Sequence, residues 1–112
     1  MPWHNHKKPR REGRTITVGK PADVPEGQGA TVELKNGMEL ALFHTGGQFY
    51  AIENFCPHRG APLADGALCG TFVECGWHGW RFDVRSGQCA TNRTTVESYE
   101  VVIDDDKLKI IV

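Results

Sequence analysis

Two short motifs constrain this chain more than any other feature, because each places one cysteine close to one histidine. The first reads Cys56-Pro57-His58 and the second reads Cys75-Gly76-Trp77-His78, with 16 residues between His58 and Cys75. A thiolate beside an imidazole suits iron in iron–sulfur clusters, zinc or copper. Four such ligands in a C-x-H and C-x2-H arrangement rarely arise by chance. The spacing therefore predicts one metal site assembled from two half-sites.

The residues around these ligands resemble the two boxes of the Rieske family of 2Fe-2S proteins. The boxes read CPHRGAPL from Cys56 to Leu63 and CGWHGWRFD from Cys75 to Asp83, and the resemblance runs from about residue 14 to the C-terminus. Proteins of this family hold one iron with two cysteines and the other with two histidines. The resemblance implies that Cys56 and Cys75 bind the inner iron of one 2Fe-2S cluster, and that His58 and His78 bind the outer iron.

A structural zinc ion is the alternative occupant, since two cysteines and two histidines also satisfy tetrahedral zinc. Zinc modules usually pair like ligands, at C-x2-4-C and H-x3-5-H spacing. This chain pairs a cysteine with a histidine in both motifs. The ligand spacing therefore favours the Rieske interpretation over zinc.

Six further residues are predicted to surround the cluster. The glycines allow tight turns that point backbone N–H groups at sulfur, and the proline stiffens the first loop. The aromatic side chains are expected to pack beneath and beside the cluster, although an aromatic core alone would look the same. These residues are Gly60, Pro62, Trp77, Gly79, Trp80 and Phe82.

Two departures from the high-potential branch of the Rieske family predict a low reduction potential. That branch has an extra cysteine in each box, joined as a disulfide between the loops, where this chain has Ala61 and Trp77. It also places Ser and Tyr hydroxyls against the cluster at positions that match Trp80 and Phe82, which carry no hydroxyl. Fewer hydrogen bonds to sulfur destabilise the reduced cluster, so we expect a potential near the bottom of the Rieske range.

The body of the chain is predicted to be all-β, because its apolar residues alternate or form short β-branched and aromatic runs between turn residues. Asn36-Gly37 is the clearest hairpin signal. The resemblance implies a Rieske fold, in which a cluster-binding part at about residues 54–90 is inserted into an antiparallel base like a β-sandwich. The predicted strands cover residues 15–18, 30–34, 38–44, 49–53, 71–75, 80–84, 99–103 and 108–112.

Charge is distributed unevenly along the chain. Residues 1–14 contain five basic residues and Glu12, a net of +4, whereas residues 15–112 contain 8 basic and 13 acidic residues, a net of −5. The first segment has too little apolar surface to offset its ordering entropy, so we expect a disordered basic tail at 1–13 before a single Rieske domain at 14–112. Positive charge confined to one terminus argues against binding of nucleic acid.

Other features predict a monomeric protein of the cytoplasm. No apolar run approaches the 18 residues that suggest a membrane span, and no apolar stretch of an export signal follows Arg10-Arg11. In a reducing compartment Cys69 and Cys89 are expected to be free, partly buried thiols, the alternatives being a disulfide or a redox-sensing role. His44 lies in a strand pattern and is expected to be structural.

The resemblance implies a one-electron carrier that passes electrons from a flavoprotein NAD(P)H reductase to a terminal oxygenase, like the ferredoxin components of aromatic-ring dioxygenase systems. An acidic body would steer it toward a basic partner. A cluster-bearing small subunit of an NADH-dependent nitrite reductase, bound to its large subunit, is the alternative, and a redox-sensing or zinc-binding module is another. An oxygenase in its own right needs a second, mononuclear iron held by two histidines and a carboxylate in a separate catalytic domain. We do not expect this activity, because the chain has no length left for such a domain and only His4, His6 and His44 remain beyond the two motifs.

Overall fold

The structure, a computed structural model, describes residues 13–57, 60–75 and 79–112. Within these ranges the chain forms strands and two short 3-10 turns, Pro21–Asp23 and Leu63–Asp65, and it contains no α-helix. No helix in the described part is long and apolar enough to cross a bilayer. The strands are β1 (Thr15–Gly19), β2 (Gln28–Glu33), β3 (Glu39–Thr45), β4 (Gln48–Glu53), β5 (Ala67–Cys69), β6 (Phe72–Glu74), β7 (Arg81–Asp83), β8 (Ser98–Asp104) and β9 (Lys107–Ile111).

The strands form two sheets, and every pairing is antiparallel. The larger sheet has six strands in the order β1-β9-β8-β4-β3-β2, and the smaller has the order β5-β6-β7. Strands β4 and β8 are neighbours in the larger sheet, with Ala51 opposite Tyr99. The smaller sheet is therefore built from chain that leaves the larger sheet after β4 and returns to it at β8. The all-β prediction is confirmed.

Strand β3 is buried on both faces and divides the core. Leu40 and Leu42 belong to one hydrophobic cluster, whereas Ala41 and Phe43 belong to another, because successive side chains of a strand point to opposite faces. The second cluster also contains residues of the smaller sheet and joins the two sheets. Both cysteines of the predicted metal site belong to this second cluster.

The predicted hairpin at Asn36-Gly37 is confirmed, but its turn differs from the expected one. Only Gly37 adopts a left-handed backbone, with φ +89°. Asn36 acts through its side chain instead, since its Oδ1 accepts a hydrogen bond from the backbone N–H of Met38 at 3.0 Å. Every predicted strand lies within two residues of an observed one, and the strand that the sequence missed is β5.

Candidate metal centre

Two loops carry the predicted cysteine ligands, and both loops close in the same way. Cys56 follows β4, and its backbone N–H donates to the carbonyl oxygen of Ala61 at 2.9 Å. Cys75 follows β6 directly, and its backbone N–H donates to the carbonyl oxygen of Trp80 at 2.7 Å. In both loops the acceptor lies five residues after the cysteine. The two half-sites found in the sequence are therefore held by a common backbone geometry.

Each loop contains a glycine four residues after its cysteine, in a left-handed conformation. The φ angle is +76° at Gly60 and +70° at Gly79, a region that strains residues with a Cβ atom. A Cβ at Gly60 would also lie 3.1 Å from Cε1 of Phe55, whereas among the described residues one at Gly79 would meet only the carboxylate of Glu74, at 3.7 Å. Both glycines thus have the left-handed backbone that suits the predicted tight turns.

Both cysteines are buried and neither forms a disulfide. Cys56 is 0% exposed and Cys75 is 1% exposed, and both belong to the hydrophobic cluster that joins the two sheets. An apolar environment disfavours ionisation of a buried thiol, unless a cation or hydrogen bonds compensate for the lost hydration of the thiolate. Two buried cysteines outside any disulfide, brought into one core by matching loops, fit a group that needs two thiolates on one iron.

The predicted histidine ligands lie outside the described residues. His58 and Arg59 fall between the described ranges of the first loop, and residues 76–78, which include His78 and Trp77, fall in the second. Over the ranges that the structure does describe, no group of three or more His, Cys, Asp or Glu side chains could hold a metal ion. The described part of the site thus contributes two buried cysteines, and the assignment of all four ligands stays a prediction.

Two of the three aromatic residues predicted around the site, Trp80 and Phe82, lie in or against the hydrophobic cluster that contains both cysteines. Phe82 is fully buried in the same cluster as Cys56 and Cys75, and Trp80 packs against that cluster. The two rings lie 6.4 Å apart between centroids, at an angle of 50°. Pro62, which is exposed, immediately precedes the 3-10 turn at Leu63–Asp65. The protein interior around the cysteines is therefore apolar on the side of β7.

Two buried polar residues at the start of the first loop were missed by the sequence analysis. Glu53 is 3% exposed and Asn54 is 5% exposed. The Oε1 of Glu53 accepts a hydrogen bond from the backbone N–H of Glu97 at 2.6 Å, and the Oδ1 of Asn54 accepts one from Ala64 at 2.7 Å. The sequence did contain a signal for them, because two polar residues follow the apolar part of β4 just before Cys56. Polar groups that are buried at such a position need hydrogen-bond partners.

The two remaining cysteines are both free thiols, as predicted, but their burial differs from the expectation. Cys69 is exposed in β5, and Cys89 is buried. Burial alone would raise the pKa of the Cys89 thiol, but hydrogen bonds from the Thr91 hydroxyl and from the backbone N–H groups of Thr91, Asn92 and Arg81 hold that pKa below its usual value. The Sγ of Cys89 lies 3.3 Å from Oγ1 of Thr91. A disulfide between Cys69 and Cys89, the alternative considered above, does not form.

His44 has the structural role that the sequence suggested. Its Nδ1–H donates to the carbonyl oxygen of Val24 at 2.7 Å, and its Nε2 lies 3.3 Å from Oε1 of Glu26. Its ring stacks on Phe49 with centroids 4.0 Å apart. These contacts tie the loop before β2 to the hairpin of β3 and β4.

Comparison with known proteins agrees with this geometry. A family model described as the Rieske [2Fe-2S] domain matches residues 14–103. The ferredoxin component of the naphthalene 1,2-dioxygenase system of Pseudomonas aeruginosa is 40% identical over 92 residues, which cover 79% of this chain and 86% of that protein.

Solved structures share the fold. A chain in the complex of reduced oxygenase and oxidized ferredoxin of carbazole 1,9a-dioxygenase matches with a TM-score of 0.82 at 28% identity, over 89% of this chain and 94% of that chain. A Mycobacterium tuberculosis protein described as an NADH-dependent nitrite reductase small subunit matches with a TM-score of 0.82 over 88% of this chain and 95% of that one. At 20% identity, the latter match shows a common fold alone.

Proposed function

We propose, from the premise that this chain belongs to the Rieske [2Fe-2S] domain family, that it is a one-electron carrier of the ferredoxin type. The observation that carries the proposal is the pair of matching loops, each closed by a hydrogen bond from its cysteine N–H and each holding a buried cysteine that forms no disulfide. Loops fixed at their bases by rigid strands keep ligands in place while the charge of the site changes. Such a site favours electron transfer over bond chemistry.

The cofactor that these residues would hold is one Rieske-type 2Fe-2S cluster, which takes up and releases a single electron. Cys56 and Cys75 are the ligands of the inner iron, and His58 and His78 are the ligands of the outer iron. The fully buried Phe82 offers no hydroxyl to the core that surrounds the cysteines, which supports a potential near the low end of the Rieske range.

We also propose domain limits that agree with the same family membership. We place the Rieske domain at residues 14–112, preceded by a basic tail at 1–13, with the cluster-binding part at about 54–90. The family match over residues 14–103 supports the start of the domain. The position of β5, β6 and β7 between the paired strands β4 and β8 supports the cluster-binding part as an insertion.

The protein serves as an electron-transfer component and is not itself the catalyst, as its relatives are named ferredoxin components of dioxygenase systems. Its donor is a flavoprotein NAD(P)H reductase and its acceptor is a terminal oxygenase. The structural match to a ferredoxin and oxygenase complex supports the acceptor. The nitrite reductase small subunit shares the fold, but fold likeness alone carries no function. A cytoplasmic, monomeric protein stays a prediction.

Charge gives this carrier a long-range preference for its partner. The net charge of −5 on residues 15–112 attracts a basic surface. The exposed charged residues of the described chain that flank the ligand loops carry both signs: Asp65 and Glu74 are acidic, and Arg81 is basic. Long-range attraction therefore comes from the net charge of residues 15–112, and the surface next to the ligand loops carries charges of both signs.

Metal and sulfide analysis of the purified full chain tests the proposal. Protein expressed with ample iron is expected to be coloured, to contain iron and acid-labile sulfide in equal amounts, and to give a rhombic EPR signal only after reduction. A colourless protein with stoichiometric zinc would show that the two motifs form a structural zinc site instead.

A further inference from the structure

The side chain of Asn54, two residues before Cys56, connects three separate parts of the fold. Its Oδ1 accepts a hydrogen bond from the backbone N–H of Ala64 at 2.7 Å. Its Nδ2 donates to Oγ1 of Thr31 at 3.2 Å and to Oε1 of Glu39 at 3.1 Å. Asn54 is 5% exposed, whereas Thr31 and Glu39 are exposed. Losing one of these bonds therefore leaves part of the buried Asn54 amide without its partner.

The partners of Asn54 fix the orientation of its amide. A backbone N–H such as that of Ala64 can only donate, and the carboxylate of Glu39 can only accept, so oxygen must face the first and nitrogen the second. The backbone N–H of Asn54 also donates to the carbonyl oxygen of Glu39, at 3.1 Å. Main chain and side chain thus attach the same residue to the start of β3.

The bond between Asn54 and Ala64 closes the first ligand loop from outside. Ala64 lies in the 3-10 turn at Leu63–Asp65, where the loop ends. The bond between Cys56 and Ala61 closes the same loop from inside. The segment that contains Cys56 is therefore held at two nested levels, and the outer level is anchored on the larger sheet through β2 and β3.

Close packing of the 3-10 turn on β2 supports the same arrangement. A Cβ added at Gly29 would lie 3.2 Å from the carbonyl oxygen of Ala64 and 2.7 Å from the ring of Phe43. Leu63, beside Ala64, is fully buried in the cluster that contains both cysteines. The end of the loop is thus pressed against the sheet at the point where Asn54 binds it.

We propose that Asn54 is the positioning residue of the metal centre: by bonding Ala64, Thr31 and Glu39 together, it sets where the first ligand loop, and with it Cys56, lies on the larger sheet. The inference rests on the proposed role of Cys56 as a ligand. Asn54 touches neither iron nor sulfur in this account and acts through the loop.

A donor and acceptor exchange between Asn54 and Glu39 tests the proposal in the full chain loaded with its cluster. Asn54→Asp keeps an acceptor for Ala64 but places a second carboxylate against Glu39, where the two would repel. Glu39→Gln alone keeps an oxygen for Asn54 and should change little. In the double variant the new glutamine amide can donate to the new carboxylate, so the double variant should recover what Asn54→Asp loses.

Two measurements read out the effect. The first is amide hydrogen exchange of the peptide that contains Ala64, which should become about tenfold faster in Asn54→Asp, because the bond from Ala64 to residue 54 is weakened, and return to near the wild-type rate in the double variant. The second is the EPR signal of the reduced protein, whose g values should shift or broaden in Asn54→Asp and recover in the double variant. Asn36→Asp is the matched control, because that side chain only caps an exposed turn, and it should change neither readout.

The outcomes separate loop closure from positioning. Unchanged exchange in Asn54→Asp, or a double variant as perturbed as the single one, overturns the proposal. Faster exchange with an unchanged EPR signal overturns the positioning role while leaving the ferredoxin function intact, whereas a wild-type protein without a Rieske signal removes that function first. If Asn54→Asp and the double variant both fail to load a cluster, Thr31→Val tests the proposal instead. Hydrogen exchange at Ala64 that is about threefold faster in Thr31→Val supports the proposal, and an unchanged rate overturns it.

Discussion

Replacing Gly60 with alanine should loosen the metal centre more than the same change at Gly79. The left-handed backbone at both positions costs an alanine about 1–2 kcal/mol. A Cβ at Gly60 would also lie 3.1 Å from the ring of Phe55, and crowding of this kind adds about 1 kcal/mol. We therefore expect Gly79→Ala to destabilise its loop by about 1–2 kcal/mol and Gly60→Ala by about 2–3 kcal/mol.

The assay is the rate at which an iron chelator bleaches the visible absorption without denaturant. If the cluster is lost through opening of a ligand loop, each 1.4 kcal/mol of loop strain speeds bleaching by about tenfold. We expect an acceleration of about tenfold for Gly79→Ala and of about 30- to 100-fold for Gly60→Ala.

Gly37→Ala is the matched control, since Gly37 has a φ angle of +89° in the turn between β2 and β3, and a Cβ there would meet no atom of the described residues within 4 Å. It carries the same backbone strain but leaves both ligand loops unchanged. It should lower the urea midpoint of unfolding without faster bleaching. Equal bleaching rates for Gly37→Ala and Gly60→Ala, or a Gly60→Ala rate equal to wild type, would refute the reasoning.

Three further predictions concern the ligands, the potential and the partner. Cys56→Ser and Cys75→Ser should abolish cluster assembly or leave an unstable cluster, whereas Cys69→Ser, at an exposed free thiol, should leave the visible spectrum intact; a colourless Cys69→Ser protein would mean that the ligands are assigned wrongly. The midpoint potential should be about −150 mV and nearly constant around neutral pH. Phe82→Tyr should raise the potential if the new hydroxyl reaches a ligand sulfur. A wild-type value above about +200 mV in a redox titration would contradict a low-potential site. Stopped-flow reduction by a flavin NAD(P)H reductase should slow steeply as salt rises, and deletion of residues 1–13 should leave the potential unchanged. A complex with a nitrite reductase large subunit that survives high-salt gel filtration would contradict a mobile carrier.

Much of the larger sheet could be predicted because its signals are local. Alternating apolar residues and turn residues placed the hairpin of β8 and β9 correctly, and Asp105 and Asp106 do adopt the left-handed conformation that its short turn requires, with φ angles of 55° and 61°. Strand β5 gave no such signal. It has three residues and exists through its pairing with β6, in which Leu68 lies opposite Val73, so its strand conformation depends on residues that follow it.

The two buried cysteines proposed as sulfur ligands could be singled out for the same reason, since each motif carries its chemistry within a few residues. Asn54 could not, because its role depends on Thr31 and Glu39, 23 and 15 residues earlier in the chain. Only the folded sheet brings these three side chains together. The burial of Cys89 likewise depends on packing against β7, where it bridges to Phe82, and no pattern around it distinguishes it from the exposed Cys69.

The most direct test of the central claim is the nitrogen hyperfine coupling of the reduced cluster, measured by pulsed EPR on the full chain with and without 15N-labelled histidine. A Rieske centre held by His58 and His78 predicts two strongly coupled histidine nitrogens, both of which change on labelling. His44→Gln, which replaces the structural histidine, should leave both couplings in place. A reduced cluster without any histidine nitrogen coupling would contradict the account, because the iron would then be held by ligands other than the two Cys and His pairs.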